Sequence, residues 1–175
     1  MTPSSSKPGI ARLIQPWPNY INKFGTIGRR HYGIDIMSGY YSNDCFLSVE
    51  PSKVLEVKEG SSRVSGRVKL EGVSGFIMVY KHCGQFKVEE GDTIECGVEI
   101  AKPNYTNTDS KHLHLEVWDG ATNYDPLLFL SMIQTELKYE FTTSYPIEKY
   151  YIDNHPELYE RIKGNIIPRE EQVWR

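Results

Sequence analysis

The sequence predicts a mainly β protein: one antiparallel sheet or open barrel, followed by a helical appendage. Three observations carry that prediction. Short runs rich in β-branched and aromatic residues recur from about residue 20 to 125, and glycines punctuate them. One of these runs, His112–Trp118 (HLHLEVW), alternates strictly between apolar and polar residues. After Asp125-Pro126 the texture changes to segments of helical length and propensity.

Taken in order, residues 1–19 carry four prolines and three consecutive serines and read as an extended lead-in. Ser52–Val57 (SKVLEV), Arg67–Leu70 (RVKL) and Gly75–Tyr80 (GFIMVY) read as strands. Gly91-Asp92 is a turn before Thr93-Ile94, and Gly97 precedes Val98-Glu99-Ile100. Closely spaced strands with glycine turns favour antiparallel pairing over alternating βα units. In His112–Trp118 the alternation puts Leu113, Leu115 and Val117 on one face and His112, His114, Glu116 and Trp118 on the other. Leu127–Lys138 reads as a helix that packs on the sheet. Asn154 is the expected N-cap of a last helix, with Glu157 returning a capping bond and Gly164 as the stop. The expected organisation is a lead-in over 1–19, a β domain over 20–130 and a helical extension over 131–175.

Composition narrows the function classes. Hydrophobic residues make up 39% of the 175 and charged residues 25%, values of a chain that buries a core. The formal charge is −3, so no global positive field attracts nucleic acid. No apolar run reaches the roughly 18 residues of a membrane span, and the first residues lack the apolar core of a secretory signal. Cys45, Cys83 and Cys96 are scattered and form neither a disulfide framework nor a CxxC zinc site.

The histidines carry the chemistry: four of five fall between residues 31 and 114. A catalytic zinc site commonly takes three ligands from His, Asp and Glu and leaves one position open. His31-Tyr-Gly-Ile-Asp35 supplies one pair. On a straight strand these two lie about 13 Å apart, too far to share an ion, so a bend is required, and Gly33 has the freedom to supply it. His112-Leu-His114 supplies a second pair on one strand face, with Cα atoms about 7 Å apart, so that one ring can ligate while the other handles a proton. His82, after an apolar strand, is a third contributor. Each pair taken alone also fits a solvated polar face. Their joint occurrence favours a catalytic metal site.

In this arrangement the sequence resembles the lysostaphin-type, LytM-like zinc endopeptidases that cut peptide bonds in bacterial peptidoglycan. The resemblance runs from about Asn19 to Leu130. It is carried by Phe24-Gly25, Arg30-His-Tyr-Gly-Ile-Asp35-Ile, Val79-Tyr-Lys-His82, Val88-x-x-Gly91-Asp92-x-Ile94-x-x-Gly97 and His112-Leu-His114-Leu-Glu116-Val. It implies that His31, Asp35 and His114 bind one Zn2+ per chain and that His82 and His112 are the catalytic pair. It also implies metal-assisted hydrolysis by a zinc-activated water. Which of His82 and His112 acts as base stays open. Glu116 reads either as a carboxylate that hydrogen-bonds behind a ligand or as a solvated strand residue.

Two departures from the family pattern stand out. Asn104–Lys111 replaces a glycine-rich approach to H-L-H, and Cys83 follows the catalytic histidine, as a buried thiol or an extra metal ligand. Tyr20, Tyr32 and Tyr105 are expected near the cleft, and His155 in a structural role. The implied substrate is a stem peptide or cross-bridge of peptidoglycan, outside the cytoplasmic membrane. With no export signal visible, a processed chain or delivery by a phage particle or lysis system is expected. A competing reading is an inactive scaffold or assembly module, a virion component for example. The C-terminal extension would then dock a protein partner.

Overall fold

The computed structural model describes residues 11–37, 45–104, 111–133 and 141–165. Its strands are β1 (Ala11–Gln15), β2 (Asn19–Ile21), β3 (Ile27–Arg30), β4 (Gly33–Met37), β5 (Phe46–Leu47), β6 (Ser52–Lys58), β7 (Gly66–Gly72), β8 (Ile77–Phe86), β9 (Thr93–Ile94), β10 (Glu99–Pro103), β11 (Leu113–Asp119), β12 (Thr122–Tyr124) and β13 (Phe141–Thr143). The helices are α1 (Pro126–Met132), α2 (Tyr145–Asn154) and α3 (Pro156–Ile162). One sheet runs in the order β13-β1-β4-β11-β8-β7-β6-β9, with β10 and β12 as side branches and β2–β3 as a separate hairpin. The β1–β13 pair is parallel, whereas β4, β11, β8, β7 and β6 pair antiparallel. The fold is the mainly β, antiparallel architecture expected from the sequence.

Register explains how one sheet serves both core and site. Leu113, Leu115 and Val117 of β11 pair with Ile36 and Ile34 of β4 and with Tyr80 and Met78 of β8. Every one of these side chains is fully buried. Period two puts the intervening residues on the opposite face, where His114 lies directly across from Asp35 on one side and from Lys81 on the other. A one-residue slip would exchange the two faces entirely, so burying these leucines and valines also fixes the position of His114.

The ends differ from expectation. The lead-in contains β1, which inserts between β4 and β13. The last helix does not start on an Asn154 cap. Asn154 closes α2, donating from Nδ2 to the Tyr150 carbonyl at 2.9 Å, and His155 stands between the two helices as the N-cap of α3, without a side-chain capping bond. Pro156 fixes that boundary because it lacks an N–H to continue α2 and is well suited to a first helical position. His155 packs near Trp17, Tyr150 and Tyr151, a structural setting. A 3-10 turn spans Lys163–Asn165, so Gly164 lies within the closing turn. The expected helix Leu127–Lys138 is present as α1 up to Met132; its part beyond residue 133 lies outside the described residues, as do Tyr105 and most of the Asn104–Lys111 segment.

Candidate metal centre

His31 lies between β3 and β4, at the end of the β2–β3 hairpin, where its backbone N–H donates to the Pro18 carbonyl at 2.7 Å. Leaving the strand at Arg30 and re-entering at Gly33 supplies the bend that an i, i+4 ligand pair needs. Gly33 contributes by close approach: a Cβ there would meet the Leu115 carbonyl oxygen at 2.2 Å and His114 Nε2 at 3.0 Å. The absent side chain lets β4 and β11 come together at the level of the centre.

Three donor atoms converge. His31 Nε2 is 3.2 Å from Asp35 Oδ1 and 3.0 Å from His114 Nδ1, and that Nδ1 is 2.8 Å from the same carboxylate oxygen. All three residues are buried. Ligands at tetrahedral corners around zinc, with bonds of about 2.0–2.1 Å, stand roughly 3.3 Å apart, so this spacing is close to that of a metal cage. The far nitrogens fit the same purpose. His31 Nδ1 lies 2.8 Å from the Pro16 carbonyl, an acceptor, and His114 Nε2 lies 3.0 Å from Glu116 Oε1. A neutral ring donating to each of those acceptors turns its lone pair inward. Two lone pairs and a carboxylate then face one point, an arrangement suited to a cation.

The charge balance agrees. Burial pushes the Asp35 carboxyl up, but hydrogen bonds from His114 and His31 outweigh it and hold the group well below the usual carboxylate range. Burial lowers His114, yet its bonds to Asp35 and Glu116 outweigh that and raise it. Without a metal, an imidazolium is the form that donates to both carboxylates, and a bound divalent cation would take the place of that proton. The donor set fits zinc.

His82 and His112 stand beside the cluster. Their ring centroids are 4.5 Å apart in edge geometry, His82 is 6.0 Å from His114, and His112 Nε2 is 3.6 Å from Asp35 Oδ1. His82 has φ +62°, in the left-handed region, at the point where β8 shifts register against β7. Such a bulge re-aims a side chain next to a site at some cost in backbone strain. Burial, followed by the neighbouring His112, lowers His82 to about 4 and leaves it neutral at pH 7. Its Nδ1 is buried and finds no hydrogen-bond partner among the described residues.

His31, Asp35, His82, His112, His114 and Glu116 thus lie in one cluster. Glu116 also accepts from Trp118 Nε1 at 2.9 Å and from Lys81. Burial pushes its carboxyl up, but the bonds from His114 and Lys81 prevail and bring it to about 2. Cys83 is buried with its thiol donating to the Tyr80 carbonyl at 3.3 Å, and burial pushes that thiol far up. The converging donor set does not include it. Tyr20 lies against His31 at 4.1 Å, and Tyr32 stacks on Trp118 at 5.9 Å. Sequence reasoning missed Lys81 and the Pro16 carbonyl. Lys81 was accessible through its place one residue before His82 on an alternating strand, whereas the carbonyl left no sequence signal.

The sheet carries a His-Asp-His cluster that could hold a metal ion on the face opposite its core, flanked by two further histidines. The chain belongs to Peptidase family M23, whose model matches residues 29–126. A curated relative, the uncharacterized lipoprotein YgeR of Escherichia coli (strain K12), is 25% identical over 131 residues, covering 73% of this chain and 51% of that protein. The chain therefore spans about half the length of that relative. Among solved structures, the catalytic domain of lysostaphin from Staphylococcus simulans is 23% identical with a TM-score of 0.52, over 67% of this chain and 88% of that one. A zinc-containing peptidase from Vibrio cholerae is 20% identical with a TM-score of 0.54, over 69% and 38%. The SpoIIIAH–SpoIIQ complex contains a chain 18% identical with a TM-score of 0.58, over 72% and 96%. These likenesses place the fold with lysostaphin-type peptidases.

Proposed function

We propose that the protein is a zinc-dependent endopeptidase that hydrolyses peptide bonds in bacterial peptidoglycan, in a stem peptide or a cross-bridge. The observation that carries this reading is the convergence of His31 Nε2, Asp35 Oδ1 and His114 Nδ1 with both rings oriented from behind. These three residues would hold one Zn2+, which when bound would supply a Lewis acid that activates water. His112, with Nε2 facing Asp35, takes a proton from the attacking water. His82, neutral at pH 7, donates from its ring N–H to the oxyanion that develops on the scissile carbonyl. Glu116 holds the tautomer of His114 and is a positioning residue. Membership of a peptidase family and the lysostaphin-like fold support the peptide substrate. The lipoprotein relative supports action outside the cytoplasmic membrane, where the substrate lies.

The fold of a chain in the SpoIIIAH–SpoIIQ complex supports a second reading, a docking module whose C-terminal helices meet a protein partner. Mass spectrometry of purified peptidoglycan after incubation, with and without a zinc chelator, separates the two. The expected result is new peptide termini that disappear with chelator and in His31→Ala and His112→Ala. Intact peptidoglycan from several wall types, with one zinc bound per chain, would overturn the endopeptidase in favour of the module.

A further inference from the structure

Residues 1–34 contain Lys7, Arg12, Lys23, Arg29 and Arg30 and no Asp or Glu, in a chain whose formal charge is −3. Three of these cations lie on or within the β2–β3 hairpin, and each sits over an aromatic ring. Lys23 Nζ is 5.0 Å from the Phe24 centroid and the Arg29 guanidinium 5.0 Å from that of Tyr20. Arg30 contacts two rings, Trp17 at 5.6 Å and Tyr32 at 5.4 Å. A guanidinium carries five N–H donors; Arg29 gives one to the Tyr20 side chain, so both arginines keep donors for an acceptor. Among the described residues, no carboxylate is paired with Lys23, Arg29 or Arg30.

The surface is built. Trp17 Nε1 donates to Asn123 Oδ1 at 2.7 Å, Asn123 Nδ2 donates to the Tyr32 carbonyl at 2.8 Å, and Tyr32 stacks on Trp118. At the hairpin tip, Asn22 Oδ1 accepts from the backbone N–H groups of Phe24 and Thr26 and holds the turn that leaves Phe24 80% exposed. All four residues of β3 are exposed, and the next residue is His31. The ridge adjoins the centre through Tyr20, whose ring lies 4.1 Å from that of His31.

We propose that the ridge formed by Lys23, Arg29, Arg30 and the rings of Trp17, Tyr20 and Tyr32 is a specificity subsite. It grips a carboxylate-bearing segment of the peptide substrate beside the scissile bond. This inference rests on the peptidase reading and adds the substrate's charge to it. The ridge supplies three cations that no carboxylate among the described residues pairs with, so a peptide carrying free carboxylates binds there and its amidated counterpart loses the ion pairs.

The test uses the full chain and two synthetic stem peptides of identical sequence, one with free carboxylates and one amidated. Binding is read by fluorescence anisotropy, and hydrolysis by chromatography. Amidation is expected to weaken binding about fivefold. Arg30→Gln and Lys23→Gln are each expected to weaken binding of the free-carboxylate peptide two- to fivefold, with less than additive loss when combined with amidation. Equal affinity for the two peptides, or variants that weaken both alike, overturns the subsite. So does capture by phosphatidylglycerol vesicles with no discrimination between the peptides. Discrimination without hydrolysis leaves the subsite standing and removes the peptidase; hydrolysis without discrimination does the reverse. The amidation arm needs no variant, so a folding defect in Arg30→Gln does not block the test.

Discussion

Replacing Glu116 by Gln tests whether the centre is oriented from behind. Oε1 of Glu116 serves both His114 Nε2, at 3.0 Å, and Lys81, while Oε2 serves Trp118 Nε1 at 2.9 Å. An amide of the same size has one acceptor oxygen. Placed at the Oε1 position, that oxygen keeps His114 bonded but sets an NH2 against the Trp118 N–H; flipped, it abandons His114. The first orientation wins, and His114 exchanges a charge-assisted bond for a neutral one. Such bonds differ by about 1–2 kcal/mol, so zinc affinity should fall roughly five- to thirtyfold. Glu116→Leu, which removes the acceptor altogether, should reach about a hundredfold. Competition against a chromophoric zinc chelator gives the affinity, and thermal melts of the zinc-free variants show that the sheet is intact. Wild-type affinity in both variants, with melting unchanged, would refute the orienting role of Glu116.

Three further outcomes are expected. Gly33→Ala puts a Cβ 2.2 Å from the Leu115 carbonyl oxygen, which forces β4 from β11. About 3 kcal/mol of stability, or roughly 6–12 °C in Tm, should be lost, and an unchanged melting curve would show that the strands yield freely. Asp125 caps α1 by accepting from Leu127 N at 2.8 Å, but its Oδ2 has no partner among the described residues, and burial raises the group from 3.8 to about 7. The native state keeps that proton longer than the unfolded chain, so the contribution is present below pH 4 and is lost as pH rises to 7, by about 4 kcal/mol. Asp125→Asn keeps the capping oxygen and should melt above the wild type at pH 8 while the difference closes at pH 4; a pH-independent difference would sink the assignment. With Cys45 and Cys83 buried and Cys96 half-buried, a thiol reagent should label Cys96 in the native protein and all three cysteines after denaturation, and native labelling of Cys83 would contradict its burial.

What the sequence disclosed and what it hid divide along a physical line. The HLHLEVW alternation predicted both faces of β11, because period two follows from strand geometry and the apolar residues have one place to go. The ligand spacing at His31 and Asp35 predicted a bend, which the chain supplies by leaving the sheet between Arg30 and Gly33. Local sequence points to conformational freedom at Gly33, whereas the structure uses it for close approach to Leu115, which depends on which strand lies opposite, and pairing partners are not written in local sequence. The same reason hid the Pro16 carbonyl behind His31 and the Asn123 clamp between Trp17 and Tyr32, contacts that join residues far apart in the chain. The last helix boundary was lost for a different reason: Asn154 is a good N-cap residue, but Pro156 two places later decides where α3 begins. Local rules therefore located the residues that face the centre, and tertiary pairing decided how they are held. The zinc affinity of Glu116→Gln bears most directly on that distinction, because Glu116 is fixed to the site face by local alternation yet oriented by Lys81 on the neighbouring strand.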